Sequence, residues 1–145
     1  MQIKLFVDGS CLRNPGVGGW VAVIIFPGYQ EIISGCYGGS TNNEMELVAL
    51  LEGVRKIYTL IDFDEDSTIE VYSDSSYIVC GFWSWVFDGG GANLKVCHFK
   101  LWKDLALLVN CCLIKVIWIS AHSGVLENCI ADSLAKLEAY GMCTI

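Results

Sequence analysis

Asp8 and Asp74 each stand where an apolar, strand-like run stops: Ile3, Leu5 and Val7 alternate ahead of the first, and Thr68 to Ser73 leads into the second. In an open α/β sheet, active sites gather beyond the carboxyl ends of neighbouring parallel strands, where the strand order reverses. Two carboxylates meeting there repel one another unless a cation lies between them, and all-oxygen ligation selects a hard ion such as Mg²⁺ or Mn²⁺. Taken singly, either aspartate reads first as a cap on the turn or helix that follows it.

Glu46 carries more information. At about 100° per residue it shares a helical face with Leu50, Gly53 and Ile57, away from Glu44, Glu52, Arg55 and Lys56, so it points inward. A buried carboxylate needs a partner, either a basic residue or a metal. Asp132 differs: Leu126, Ile130, Leu134 and Leu137 form an apolar stripe, and Asp132 faces the other way with Asn128, Ala135 and Ala139. Periodicity alone makes it solvated. His122, within Ala121-His122-Ser123-Gly124, is placed where a mobile acid–base group can act, although a single loop histidine is more often plain surface.

The elements that must position these residues follow from the apolar periods. A strand ends at Asp8-Gly9-Ser10, a Gly-rich loop runs through Asn14-Pro15-Gly16-Val17-Gly18-Gly19, and Trp20 to Phe26 is a second strand. Pro27-Gly28 turns into a third strand near Glu31 to Tyr37, completing a meander. Ser40-Thr41-Asn42-Asn43 offers capping side chains for a helix over Asn43 to Thr59, with Leu47, Leu51, Val54 and Tyr58 at helical spacing. After the acidic loop Asp62 to Asp66, Thr68 to Ser73 is a strand and Ser75 to Val86 a helix, and Gly89-Gly90-Gly91 breaks the chain. Leu101, Trp102, Leu105, Leu108 and Val109 mark a helix, Leu113 to Ile119 a strand, and Leu126 to Tyr140 a final helix. The order βββαβααβα predicts an α/β fold whose mixed sheet, antiparallel in the meander and parallel beyond it, is flanked by helices.

A chain of 145 residues is enough for one domain, and we expect residues 1–145 to form one. With 54% hydrophobic and 17% charged residues it is not a disordered polypeptide. The longest nearly apolar stretch, Leu105 to Ile114, is interrupted by Asn110 and is too short to span a membrane. Met1-Gln2-Ile3-Lys4 does not open a secretory signal, so a cytoplasmic location is expected. The eight cysteines include no Cys-x-x-Cys; Cys36, Cys80 and Cys129 fall within apolar patterns, and adjacent Cys111-Cys112 cannot by itself build a tetrahedral metal site. Gly16-Val17-Gly18-Gly19 joins two strands and opens no helix, which excludes a dinucleotide loop. The net charge of −7 opposes non-specific attraction to phosphate backbones, so any nucleic-acid chemistry must rest on specific residues.

Those residues fall in blocks that strongly resemble the ribonuclease H type 1 family. The blocks are Val7-Asp8-Gly9-Ser10-Cys11 with Asn14-Pro15-Gly16 and Gly18-Gly19; Thr41-Asn42-Asn43-Glu44-Met45-Glu46-Leu47; and Tyr72-Ser73-Asp74-Ser75. Leu101-Trp102, Trp118 to Ser120 with His122-Ser123-Gly124, and Glu127-Asn128 with Ala131-Asp132-Ser133-Leu134-Ala135 complete an ordered set covering nearly the whole chain. The resemblance implies a ribonuclease H-like fold with a five-stranded mixed sheet, and a catalytic carboxylate set of Asp8, Glu46, Asp74 and Asp132 holding two Mg²⁺ ions, with Mn²⁺ as a substitute. It implies His122 for proton transfer or product release, with Asn128 close by. The implied substrate is an RNA–DNA hybrid, its RNA strand cut to 5′-phosphate and 3′-hydroxyl ends. Asn14, Asn42 and Asn43 would read the minor groove, Thr41 would bind a DNA phosphate, and Trp85 would pack along the DNA strand.

The chain departs from the family pattern at Gly39, where many members carry a basic residue, and at His98, where asparagine is common. The short Asp88–Lys100 segment has only Lys95 and Lys100 as lysines, so the basic protrusion of many bacterial members is missing. Such a surface suits a second reading, a catalytically silent ribonuclease H fold that binds hybrids or proteins, but loss of catalysis should often leave a carboxylate replaced and none is. A resolvase or integrase of the same fold is a third, opposed by the Thr41-Asn42-Asn43 block and the His122 loop. A monomer is expected.

Overall fold

The computed structural model describes residues 1–13, 15–61, 67–87 (backbone alone at 85–87), 98–109, 113–120 and 136. Three strands come first: β1 (Gln2–Cys11), β2 (Gly16–Phe26) and β3 (Tyr29–Ser40). Helix α1 (Asn42–Leu60), β4 (Thr68–Ser73), α2 (Ser76–Gly81), α3 (Phe99–Val109) and β5 (Leu113–Trp118) follow. The predicted helix over Leu126 to Tyr140 and the glycine break at Gly89-Gly90-Gly91 lie outside the described residues.

The sheet order is β3-β2-β1-β4-β5. The meander pairs antiparallel, while β1 with β4 and β4 with β5 pair parallel, which is the predicted five-stranded mixed sheet. Pairing lengthens the meander strands beyond their apolar runs. β1 continues past Asp8 to Cys11 because Gly9, Ser10 and Cys11 stay in register with Trp20, Gly19 and Gly18. The strand therefore runs through Asp8-Gly9-Ser10 and one residue further.

Ile3, Leu5 and Val7 belong to the main core with Leu47, Leu50, Val54 and Ile57 of α1. Burying each such side chain contributes about 1.5–3 kcal/mol. The helix crosses the sheet closely at Gly53, where a Cβ would come within 2.8 Å of Leu5 Cδ1. Phe6 turns to a second cluster with Val21 and Val23, and its ring stacks on Tyr72 of β4 at 4.7 Å.

Two expectations are corrected. The helix expected to be continuous from Ser75 to Val86 is α-helical only to Gly81, then widens into a π-helical turn over Phe82–Phe87. Gly81 weakens the helix, and the aromatic run beyond it lacks a 3.6-residue apolar period. Cys36 and Cys80, assigned to apolar patterns, are exposed. Cys36 shares the outward side of edge strand β3 with Ile32 and Ser34, where no further described strand or helix covers it. No described helix is long and apolar enough to cross a membrane.

Candidate active site

The strand pairing brings the two aspartates together. Phe6 of β1 and Tyr72 of β4 are register partners in a parallel pair. Asp8 and Asp74 each lie two residues beyond them, side by side at the carboxyl end. Asp74 follows the last residue of β4 and does not cap α2. That role falls to Ser75, whose Oγ accepts from the Ile78 N–H at 3.3 Å, while the Ser75 N–H donates to Ser73 Oγ at 3.1 Å.

Helix α1 supplies the third carboxylate. Thr41 is its N-cap, the side chain accepting from the Glu44 N–H at 3.1 Å. Asn42 Oδ1 accepts from the Cys11 N–H at 2.8 Å and ties the helix start to the end of β1. The first turn then settles on two glycines. A Cβ on Gly9 would lie 2.4 Å from the Glu46 amide nitrogen, and one on Gly18 would lie 2.7 Å from Met45 Cγ. Met45 fills this crossing, fully buried.

Asp8, Glu46 and Asp74 consequently form one cluster, each offering an oxygen within 4.8 Å of the others. Asp8 and Glu46 are buried and Asp74 is partly buried. The Glu46 carboxyl is held well above the usual range, first by burial, then by the Asp8 charge, a hydrogen bond with Asp8 and the Asp74 charge; the Gly9 N–H opposes this by donating to it. The charges acting on Glu46 are thus like charges, and its buried Oε2 makes no hydrogen bond. Three clustered carboxylates with an unsatisfied buried oxygen fit a hard divalent cation, which would relieve both the repulsion and the missing donor.

Thr41, Asn42 and Asn43 lie together at the N-terminus of α1, close in sequence to Glu46, and both asparagines are exposed. Asn14, His122, Asn128 and Asp132 lie outside the described residues, as does the side chain of Trp85. Sequence reasoning missed Gly9 and Gly18. Their signal was present as small residues, but only the approach of α1 shows that they make room for the helix carrying Glu46.

A protein-family profile described as RNase H matches residues 1–140. A ribonuclease H of Oleidesulfovibrio alaskensis is 37% identical over 142 residues, covering 93% of this chain and 88% of the relative. One of Helicobacter pylori is 38% identical over 139 residues, covering 95% and 93%. Among solved structures, LC9-RNase H1, described as a type 1 RNase H with the type 2 active-site motif, aligns with a TM-score of 0.82 at 26% identity, covering 97% of this chain and 73% of that one. LC11-RNase H1, solved in complex with an RNA/DNA hybrid, aligns at 0.79 with 23% identity, covering 97% and 99%, and shares the fold.

Proposed function

Because the chain belongs to the RNase H family, we propose that it is a single-domain endonuclease that hydrolyses the RNA strand of RNA–DNA hybrids. The observation that carries this reading is the Asp8, Glu46 and Asp74 cluster, assembled at the carboxyl ends of β1 and β4. Asp132 completes the set. Two Mg²⁺ ions, for which Mn²⁺ can substitute, would supply an activated water and charge stabilisation at the leaving oxygen when bound, yielding 5′-phosphate and 3′-hydroxyl ends.

The protein's own groups hold and orient. The like charges of Asp8 and Asp74 draw a cation to Glu46 in place of the proton that burial favours, and Gly9 lets its carboxylate lie beside Asp8. Asn42 and Asn43, exposed at the start of α1, together with Asn14, are suited to the minor groove, where the 2′-hydroxyl separates RNA from DNA. Thr41 takes a DNA phosphate, Trp85 packs along the DNA strand, Asn128 lies near His122, and His122 moves a proton. The enzyme acts as a cytoplasmic monomer.

The test is incubation of labelled RNA–DNA hybrid, RNA duplex and DNA duplex with the folded protein in Mg²⁺ or Mn²⁺. Cleavage confined to the RNA of the hybrid is expected. Binding of hybrid without cleavage in either ion overturns the enzyme reading in favour of a silent binding module.

A further inference from the structure

Glu44 is the one polar residue of the Thr41–Glu46 block without a part in the proposed chemistry, yet its carboxylate bridges two elements. Oε1 accepts from Ser40 Oγ at 2.7 Å, at the end of β3. Oε2 lies 3.3 Å from His98 Nδ1, immediately before α3. The Ser40 contact spans Thr41, Asn42 and Asn43, the three residues proposed to meet the hybrid from α1. Glu44 therefore closes a short loop around them, and its own N–H is held by Thr41 Oγ1.

His98 is braced to receive Glu44. Its φ of 62° lies in the left-handed region, uncommon for a residue with a side chain. Its carbonyl accepts from the Trp102 N–H at 3.1 Å, and its ring meets Tyr77 edge-on at 6.4 Å. Tyr77 of α2 in turn accepts from Trp102 Nε1 at 2.9 Å. A residue in an unusual backbone state, with its ring against Tyr77 of α2 and its carbonyl bonded to Trp102 of α3, is a fixed anchor, in contrast to the exposed pair Arg55–Glu52 on α1.

We propose that Glu44 and His98 are positioning residues: a latch between α1 and α3 that holds the Thr41–Asn43 turn in the shape that binds the hybrid. The proposal rests on the hybrid reading above. Neither residue belongs to the Asp8, Glu46 and Asp74 cluster, so the latch acts on binding and leaves the reacting atoms alone.

The informative variants are His98→Gly, which tolerates the positive φ but removes the side chain, and His98→Asn. Asparagine also accepts positive φ, and its amide can place a donor near the position of Nδ1. His98→Gly and Glu44→Ala should each raise KM for the hybrid about five-fold with little change in kcat, the scale of a partly exposed pair. The double variant should be no worse than either single one, and His98→Asn should restore KM. Amide hydrogen exchange without substrate should quicken at Glu44 and Met45 in His98→Gly and return to the wild-type rate in His98→Asn. Unchanged exchange and KM in His98→Gly, additive effects in the double variant, or a fall in kcat alone would overturn the latch. If the wild-type protein does not cleave hybrid, the hybrid reading fails, and the exchange measurement still decides whether Glu44 and His98 hold the turn.

Discussion

Gly9 in β1 and Glu46 in α1 meet with no room for a side chain between them: a Cβ on Gly9 would sit 2.4 Å from both the Glu46 nitrogen and the Met45 carbonyl carbon. The obstacle is backbone, which cannot rotate aside. The closeness of the third carboxylate to Asp8 depends on this absence of a methyl group.

Gly9→Ala should therefore push the first turn of α1 off β1. Alanine lowers the entropy of the unfolded chain, a gain of about 0.4–1 kcal/mol, but overpacking costs about 1–3 kcal/mol and wins. A displacement near 1 Å at Glu46 should lower kcat roughly 100-fold. Steady-state rates with thermal denaturation check this; wild-type turnover in a folded Gly9→Ala protein would show that the contact does not set the site.

Asp8→Asn and Asp74→Asn should abolish turnover while raising stability without metal. Each keeps similar volume, removes a ligand charge and relieves repulsion on Glu46. A gain of 1 kcal/mol corresponds to a rise in Tm of about 2–4 °C for a chain of this size. Melting curves in chelator and rates in Mg²⁺ test the two effects separately. Retained turnover in either variant would remove that aspartate from the metal centre.

The pH dependence of the metal-free protein follows from Glu46. Its carboxyl is raised in the folded state, so the folded chain holds a proton after the unfolded chain has released it. The site's contribution is neutral below the unfolded carboxyl value of about 4.3, and stability falls as pH climbs from there through the raised folded value. Glu46→Gln should flatten this part of the profile. Added Mg²⁺ should stabilise more at neutral than at mildly acidic pH, because a cation competes with that proton. Denaturant titrations at several pH values, with and without Mg²⁺, measure both.

Gly39 offers a place to alter hybrid affinity. Nothing lies within 4 Å of where its Cβ would be, so the side chain of Gly39→Arg starts in open space. A cation near Thr41 should lower KM more than it changes kcat, since a phosphate contact stabilises ground and transition states alike. Salt screens the contact between the added cation and the phosphate, so the gain should shrink as ionic strength rises. An unchanged KM at low salt would mean that the DNA strand does not pass Gly39.

Much of the site was legible along the chain because its signals are local. The alternation of Ile3, Leu5 and Val7 placed Asp8 on a strand, the run Thr68–Ser73 placed Asp74 just beyond another, and a 3.6-residue period turned Glu46 inward. The same local signals misled at Cys36, whose exposure depends on β3 lying at the sheet edge.

What the amino-acid order determined by itself was the succession of elements and the residue types at their ends, since backbone preference and apolar period act over a few neighbours. Tertiary structure alone decided that β4 lies beside β1 with Phe6 opposite Tyr72, which makes neighbours of aspartates 66 residues apart. It also decided that Gly9 admits Glu46 and that Glu44 reaches His98. Each is a contact between segments distant in sequence, selected by which faces can be buried together, and no local propensity encodes that choice.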